Sequence, residues 1–132
     1  MTRRVMGILM AAIFAAAPAV AHHSFSAEFD INQPVTLTGT VSDMRWSNPH
    51  AWLYIDVKDA DGKVVKWALE TVAANQLYRR GVRREDVVIG TVVSVEGWRA
   101  RNGTPTANAS TIKLADGRLL FGGRAPGQST GP

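Results

Sequence analysis

The side chains best suited to hold a transition metal are the chain's three histidines, His22, His23 and His50. An exported chain cut after Ala21 would begin at His22, which would then offer both a free α-amine and an imidazole nitrogen. With a further nitrogen from His23 or His50, these atoms would form the T-shaped set of three nitrogens called a histidine brace. Nitrogen ligands in a planar arrangement suit Cu(II), which stands highest in the divalent affinity order. The sequence therefore predicts a copper site at His22, His23 and His50, with copper as the cofactor.

A plainer interpretation of the same residues stays open. His22 and His23 would then be ordinary residues of a chain terminus, and His50 would simply follow the turn formed by Ser47, Asn48 and Pro49. The chain contains no cysteine, which excludes thiolate metal sites, disulfides and cysteine nucleophiles. Metal binding, if it occurs, must use nitrogen and oxygen ligands.

The copper hypothesis depends on where the mature chain begins. Residues 1–21 carry Arg3 and Arg4, then an apolar run, and end in Ala19, Val20 and Ala21. This is the layout of a secretory signal peptide with a small-x-small cleavage site. The apolar run is shorter than the roughly 20 residues of a membrane span, so we expect a periplasmic protein with no transmembrane segment after cleavage. Ordinary unfolded (Sec) export is favoured, because the residues after Arg4 fit a twin-arginine signal poorly, and twin-arginine export is the alternative. Removing the two arginines leaves 13 basic residues against 11 acidic ones, a mild net charge of +2.

Aromatic residues offer a second kind of site. Trp46, Trp52 and Tyr54 lie close together in the sequence around the turn that precedes His50. Small β-barrels often bind sugars or oligonucleotides by stacking on such residues. These three residues are therefore the candidate ligand-binding set for a glycan, a peptide or a partner protein. The alternative is that Trp52 and Tyr54 only cover the outside of the sheet under the amino-terminal arm.

Neither the basic residues nor the carboxylates predict catalysis. Arg79, Arg80, Arg83 and Arg84 form the densest charge cluster, and Glu85 and Asp86 follow it directly, so local pairing at a solvated helix end explains them. An acidic lipid surface or a partner protein is the other interpretation, and export makes nucleic acid an unlikely partner. Phosphate-binding loops, serine nucleophile motifs and the H-E-x-x-H motif are absent from the sequence. We expect a binding protein for an unknown small ligand or a periplasmic protein, not an enzyme.

The elements that position these residues are mostly strands. Residues 35–57 alternate between apolar and polar side chains on either side of the Ser47–Pro49 turn, which predicts a hairpin whose core face includes Leu53 and Ile55. A third strand, Val64–Glu70, follows an Asp-Gly turn and carries Trp67 on its core face. A short helix is predicted from an N-cap at Thr71 to Gly81. Further strands are predicted at 91–100, 109–114 and 118–121.

This order predicts an all-β fold with one short helix, specifically an OB-fold-like five-stranded Greek-key barrel. Three strands, one helix and two more strands favour it over an SH3-like barrel. The predicted organisation is a signal peptide at 1–21, an extended arm at 22–34, the barrel domain at 35–121 and a disordered tail at 122–132. About 110 residues suffice to form a core without disulfides.

Five segments resemble a known family: A-H-H-S-F at the start of the mature chain, P-V-T-L-T-G-T-V, W-S-N-P-H-A-W, L-Y-R-R-G and T-A-N-A-S. They look like those of a family of small exported bacterial proteins that is catalogued as a domain of unknown function. The resemblance extends from Ala21 to Phe121. It implies export and a small β-barrel, and it implies no activity or catalytic residues.

Overall fold

The computed structural model describes residues 24–122, and within them the chain is mainly β-structure. A single helical turn, α1 (Phe25–Glu28), precedes the first strand, and the helix α2 (Ala74–Arg79) follows the third. A 3-10 turn occupies Arg84–Asp86. The strands are β1 (Phe29–Arg45), β2 (Trp52–Lys58), β3 (Val64–Glu70), β4 (Val92–Ala100), β5 (Thr106–Leu114) and β6 (Leu119–Gly122). The predicted β-rich fold with one short helix between the third and fourth strands is confirmed. The predicted signal peptide, His22, His23 and residues 123–132 of the predicted tail lie outside the described residues.

The six strands form one sheet in the order β3-β2-β1-β4-β5-β6. The long strand β1 pairs with β4 through its first part and with β2 through its last part, and Thr40 takes part in both pairings. Strand β3 also pairs with β5, in parallel, from Ala68 opposite Thr106 to Glu70 opposite Asn108. The pairings therefore make a circuit, β1-β2-β3-β5-β4-β1, and β6 pairs with β5.

The inward face of this sheet is the core, as the period-2 pattern of the second strand predicts. Leu53 and Ile55 are fully buried, and Trp52 and Tyr54, which alternate with them along the strand, are half-buried on the other face. Burying one such aliphatic side chain stabilises the fold by about 1.5–3 kcal/mol. The core cluster consists of Val41, Ala51, Leu53, Ile55, Leu69, Leu77, Val93, Val95, Ala107, Ala109, Ile112 and Phe121.

The amino-terminal segment differs from the extended arm that the sequence predicts up to Pro34. Residues 25–28 form a helical turn, and β1 begins at Phe29, which pairs with Ala100 of β4. Phe29 is 3% exposed. Its burial favours strand pairing from this point, whereas the weak alternation of residues 25–31 gives no sign of it. The sheet therefore begins at Phe29, ahead of residue 35, where the barrel domain was predicted to start.

The predicted helix is shorter than expected, and its predicted N-cap is wrong. The helix α2 begins at Ala74, and Thr71 is buried before it. The Thr71 hydroxyl and backbone N–H both donate to the carbonyl oxygen of Ala51, which prolongs the link between β2 and β3 beyond their last paired residues. The other end agrees with the prediction, because Gly81 follows the helix with a φ of +86°.

We predict that Trp67→Ala lowers the free energy of unfolding by about 3 kcal/mol, and by about 2 kcal/mol more than Trp52→Ala. Trp67 packs against the core cluster, and the Arg99 guanidinium lies 5.6 Å from its ring centroid. Trp52 is only half-buried, on the outer face of β2. Urea titration of both variants measures the difference. Equal losses would show that the two tryptophans contribute alike to the core.

Candidate functional site

The turn that precedes His50, Ser47–Pro49, is hydrogen-bonded to the start of α2. The Ser47 hydroxyl donates a hydrogen bond of 2.6 Å to the His50 carbonyl oxygen. The backbone N–H of Ala74 donates to the Ser47 carbonyl oxygen at 3.0 Å, and that of Asn75 donates to Asn48 Oδ1 at 3.3 Å. These bonds satisfy two N–H groups at the beginning of the helix that have no partner within it. The backbone of His50 is therefore held in place from both sides.

The His50 imidazole has two oxygen neighbours on the same ring nitrogen. Its Nδ1 lies 3.2 Å from the carbonyl oxygen of Thr71 and 3.3 Å from Glu70 Oε1. A carbonyl oxygen can only accept a hydrogen bond, so Nδ1 carries the proton. In the neutral ring Nε2 then carries the lone pair. The side chain is 46% exposed, and the imidazole can therefore bind a ligand while Nδ1 keeps it oriented.

Glu70 is the functional candidate that the sequence analysis missed. Its side chain is only 8% exposed although it lies at an outward position of β3. Besides His50, it receives a long hydrogen bond of 3.5 Å from Asn108 Nδ2 on β5. A carboxylate removed from water in this way needs polar or charged neighbours, and His50 is one of them. The pair thus joins a buried carboxylate to a half-exposed imidazole at the outer face of the sheet.

The sequence did contain a signal for this pair. The tight Asp-Gly turn after β2 aligns Lys58 with Val64, and counting back along both strands places Trp52 opposite Glu70. Residues in register on adjacent strands share a face. A carboxylate opposite the second residue after His50 is thus expected near that histidine. The burial of the Glu70 carboxylate was not predictable from the turn, because this burial depends on the pairing of β3 with β5.

Glu70 belongs to a row of residues that crosses four strands on the outer face. Trp52 pairs with Glu70, Glu70 with Asn108, and Asn108 with Trp98. We call these four residues the cross-strand row. At its far end, the ring of Phe25 meets that of Trp98 edge to face, with 5.6 Å between centroids. The described chain thus starts beside one end of the row, and His50 lies near the other.

Arg101 fixes this start of the chain to the turn between β4 and β5. Its backbone N–H and its Nε donate to the carbonyl oxygens of Glu28 and Ser26, each at 2.8 Å. Its Nη1 lies 3.6 Å from Asp30 Oδ2. The pKa of Asp30 is lowered chiefly by the hydrogen bond from the backbone N–H of Asn32, and Arg101 adds to the effect. The residues just after the predicted mature terminus therefore have a defined position.

The three aromatic candidates do not form one surface. Trp52 and Tyr54 lie on the outer face of β2, as predicted. Trp46 instead packs against the core cluster and stacks on Tyr78, with 5.3 Å between ring centroids and 18° between planes. Since Trp52 pairs with Arg45, the next residue, Trp46, projects to the opposite side. The structure therefore groups Trp52 and Tyr54 and separates Trp46 from them.

The described part of the chain holds one of the three predicted copper ligands, His50. No group of three or more His, Cys, Asp or Glu side chains with metal-binding geometry occurs within residues 24–122. His50 and Glu70 make a pair, and a complete site would need His22 or His23 as well.

These features define the class of the protein. It is a β-rich domain with one short helix, and its His50–Glu70 pair lies beside the turn that follows β1. The chain belongs to DUF6152, a family of unknown function, whose model matches residues 11–109. The predicted membership of a family of unknown function is confirmed. No curated protein matches the chain significantly. None of the helices in residues 24–122 has the length and apolarity needed to cross a membrane.

Proposed function

We propose that this is an exported periplasmic protein with an OB-fold-like Greek-key barrel that binds Cu(II) through His22, His23 and His50. The circuit of pairings through the first five strands, with the helix between β3 and β4, supports the barrel. The sixth strand would extend one side of it. Binding rather than catalysis is the proposed role.

The orientation of His50 is the observation that carries the copper proposal. Metal-binding histidines almost always donate their other ring N–H to a carboxylate or a backbone carbonyl, which fixes the tautomer and the ring position. His50 has both kinds of acceptor at Nδ1, Glu70 Oε1 and the carbonyl oxygen of Thr71. Its Nε2 is therefore the proposed copper ligand.

Chain length allows His22 and His23 to contribute the remaining nitrogens. Phe25 contacts Trp98, and Glu70 lies two strands away from Trp98 through Asn108. Two strand spacings amount to about 10 Å. His22 precedes Phe25 by three residues, and three extended residues span up to about 10 Å. The α-amine and imidazole of a terminal His22 are therefore within reach of the His50–Glu70 pair.

We expect His50→Ala to lower the Cu(II) affinity at least about tenfold, since even the loss of an outer-shell partner costs 10–100-fold. Isothermal titration calorimetry on protein whose mass confirms a start at His22 measures this, with one Cu(II) per chain expected for the unmodified protein. Lys58→Ala, at the far end of β2, is the matched surface control and should bind normally. Unchanged affinity in His50→Ala would contradict the proposal.

The second candidate function is non-catalytic recognition of a glycan, peptide or partner protein by Trp52 and Tyr54. Their half-buried position on the outer face of β2 favours it. Trp46 is not part of this candidate, because it packs on the inner side with Tyr78. If copper binding proves independent of all three histidines, quenching of Trp52 fluorescence by candidate ligands becomes the relevant assay.

A further inference from the structure

The segment between β3 and β4 packs with one of its sides against the core, and its other side faces solvent. Leu77, Val82 and Val87 point inward and line the same small apolar space as Leu53 and Phe121. The side chains between these residues and just after Val87 are mostly exposed, and several belong to arginines or large apolar residues. These are Tyr78, Arg79, Arg80, Arg83, Arg84, Val88 and Ile89, which we call the arginine surface.

The arginines of this surface do not form the ion pairs with Glu85 and Asp86 that the sequence predicts. Local pairing with Glu85 and Asp86 was expected, yet the ion pairs found within residues 24–122 do not involve any of the four arginines. Asp86 Oδ2 instead accepts the backbone N–H of Arg83 at 2.7 Å, which caps the 3-10 turn. Four guanidinium groups against two carboxylates leave the segment with a local charge of +2.

Three of the guanidinium groups lie over aromatic rings, among them that of Arg80, 5.5 Å from the ring centroid of Phe121. Arg84 lies over Trp46 at 5.3 Å from the ring centroid, and Arg83 lies over Tyr78 at 5.9 Å. Because Trp46 and Tyr78 stack on each other, the four side chains form one layered group. Such stacking orients the arginines, and because the rings carry no net charge it does not neutralise them. The charge remains available to an anionic partner.

Two exposed aliphatic residues follow these arginines closely in the sequence. Val88 is 58% exposed and Ile89 is 67% exposed, in the connection between the 3-10 turn and β4. A soluble polyanion would use the arginines alone, whereas a lipid surface would use both kinds of side chain. Arginines would bind the phosphate headgroups, and Val88 and Ile89 would enter the boundary with the acyl chains.

We propose that the arginine surface docks the protein onto an anionic lipid bilayer. Four arginines that form no ion pair within residues 24–122 complement phosphate headgroups in charge, although Arg80 and Arg83 also donate hydrogen bonds to backbone carbonyls. Together with the aliphatic pair Val88 and Ile89, this charge favours lipid over a protein or nucleic acid partner. The surface lies on α2 and the following loop and does not include His50 or the cross-strand row. The inference is therefore independent of the copper proposal.

Co-sedimentation with phosphatidylcholine vesicles, with or without phosphatidylglycerol, tests it. The unmodified protein should bind only the vesicles that contain phosphatidylglycerol. The double variant Arg79→Gln, Arg84→Gln should lower the partition coefficient about 25-fold, since each basic residue contributes roughly fivefold at such a surface. Ile89→Ser should lower it at least about threefold.

Each control removes a side chain of the same kind from a site outside the arginine surface. Lys113→Gln removes one positive charge on β5, and Ile31→Ser removes an exposed aliphatic residue at the start of β1, so both should bind as the unmodified protein does. Circular dichroism checks that each variant is folded. Absence of binding to phosphatidylglycerol vesicles would overturn the inference. So would normal binding by Ile89→Ser, which would indicate general attraction to polyanions.

Discussion

Replacing Gly97 with alanine is expected to lower the free energy of unfolding by about 3 kcal/mol or more, the upper end of what overpacking costs. Gly97 lies on β4 where the pairing with β5 shifts register. A Cβ at this residue would overlap the carbonyl oxygen of Asn108 and stand 3.1 Å from the Cα of Ala109. Both are backbone atoms of the adjacent strand, so relief of the clash requires the two strands to separate. Urea or thermal unfolding followed by circular dichroism measures the loss.

Gly103→Ala is the control for this prediction. Gly103 has a φ of +75°, and no atom lies close to the Cβ that would be added. Only the backbone conformation is penalised there, at about 1–2 kcal/mol. A Gly97→Ala variant no less stable than Gly103→Ala would show that β4 and β5 adjust without cost. If the Gly97→Ala protein folds, the added methyl group would displace Asn108. This displacement would weaken the hydrogen bond that Asn108 donates to Glu70.

Local patterns in the sequence account for most of the strands. Alternating residues around Leu53 and Ile55 predicted the core face of β2, and the Asp-Gly turn predicted the start of β3 at Val64. These predictions succeed because side chains alternate along a strand and a tight turn sets the register of its neighbours. The same reasoning found Gly81 after the helix, where a positive φ is required.

Features that depend on distant parts of the chain were not predictable in this way. The parallel pairing of β3 with β5 joins Glu70 to Asn108, which are separated by 38 residues, and this pairing helps to bury the carboxylate beside His50. The stacking of Trp46 on Tyr78 likewise joins the end of β1 to α2. The periodic spacing of apolar residues along a sequence gives no information about contacts between such distant residues. The candidate site was therefore predicted at His50 but not at its acidic partner.

The largest effect on copper binding is expected from one glycine added ahead of His22. We predict that this extension lowers the Cu(II) affinity of the processed protein by at least about 100-fold, beyond the range for an outer-shell loss. The extension converts the α-amine of His22 into an amide nitrogen, which is a poor ligand until it loses a proton. His50 and its contacts to Glu70 and Thr71 are unaffected by this change, so it removes one ligand and leaves the described part of the site intact.

A glycine added after Pro132 is the matched control, since it lengthens the chain equally and leaves the amino terminus free. Calorimetry with Cu(II) should give the unmodified affinity for this control. Electron paramagnetic resonance should show fewer nitrogen ligands in the amino-terminal extension than in the unmodified protein. Combining the extension with His50→Ala tests whether both residues bind one ion, because ligands of a shared site have non-additive effects. Equal affinity of the extended and unmodified proteins would exclude the α-amine as a ligand, and with it the histidine brace. The outer face of β2, with Trp52 and Tyr54, would then be the better candidate for the site.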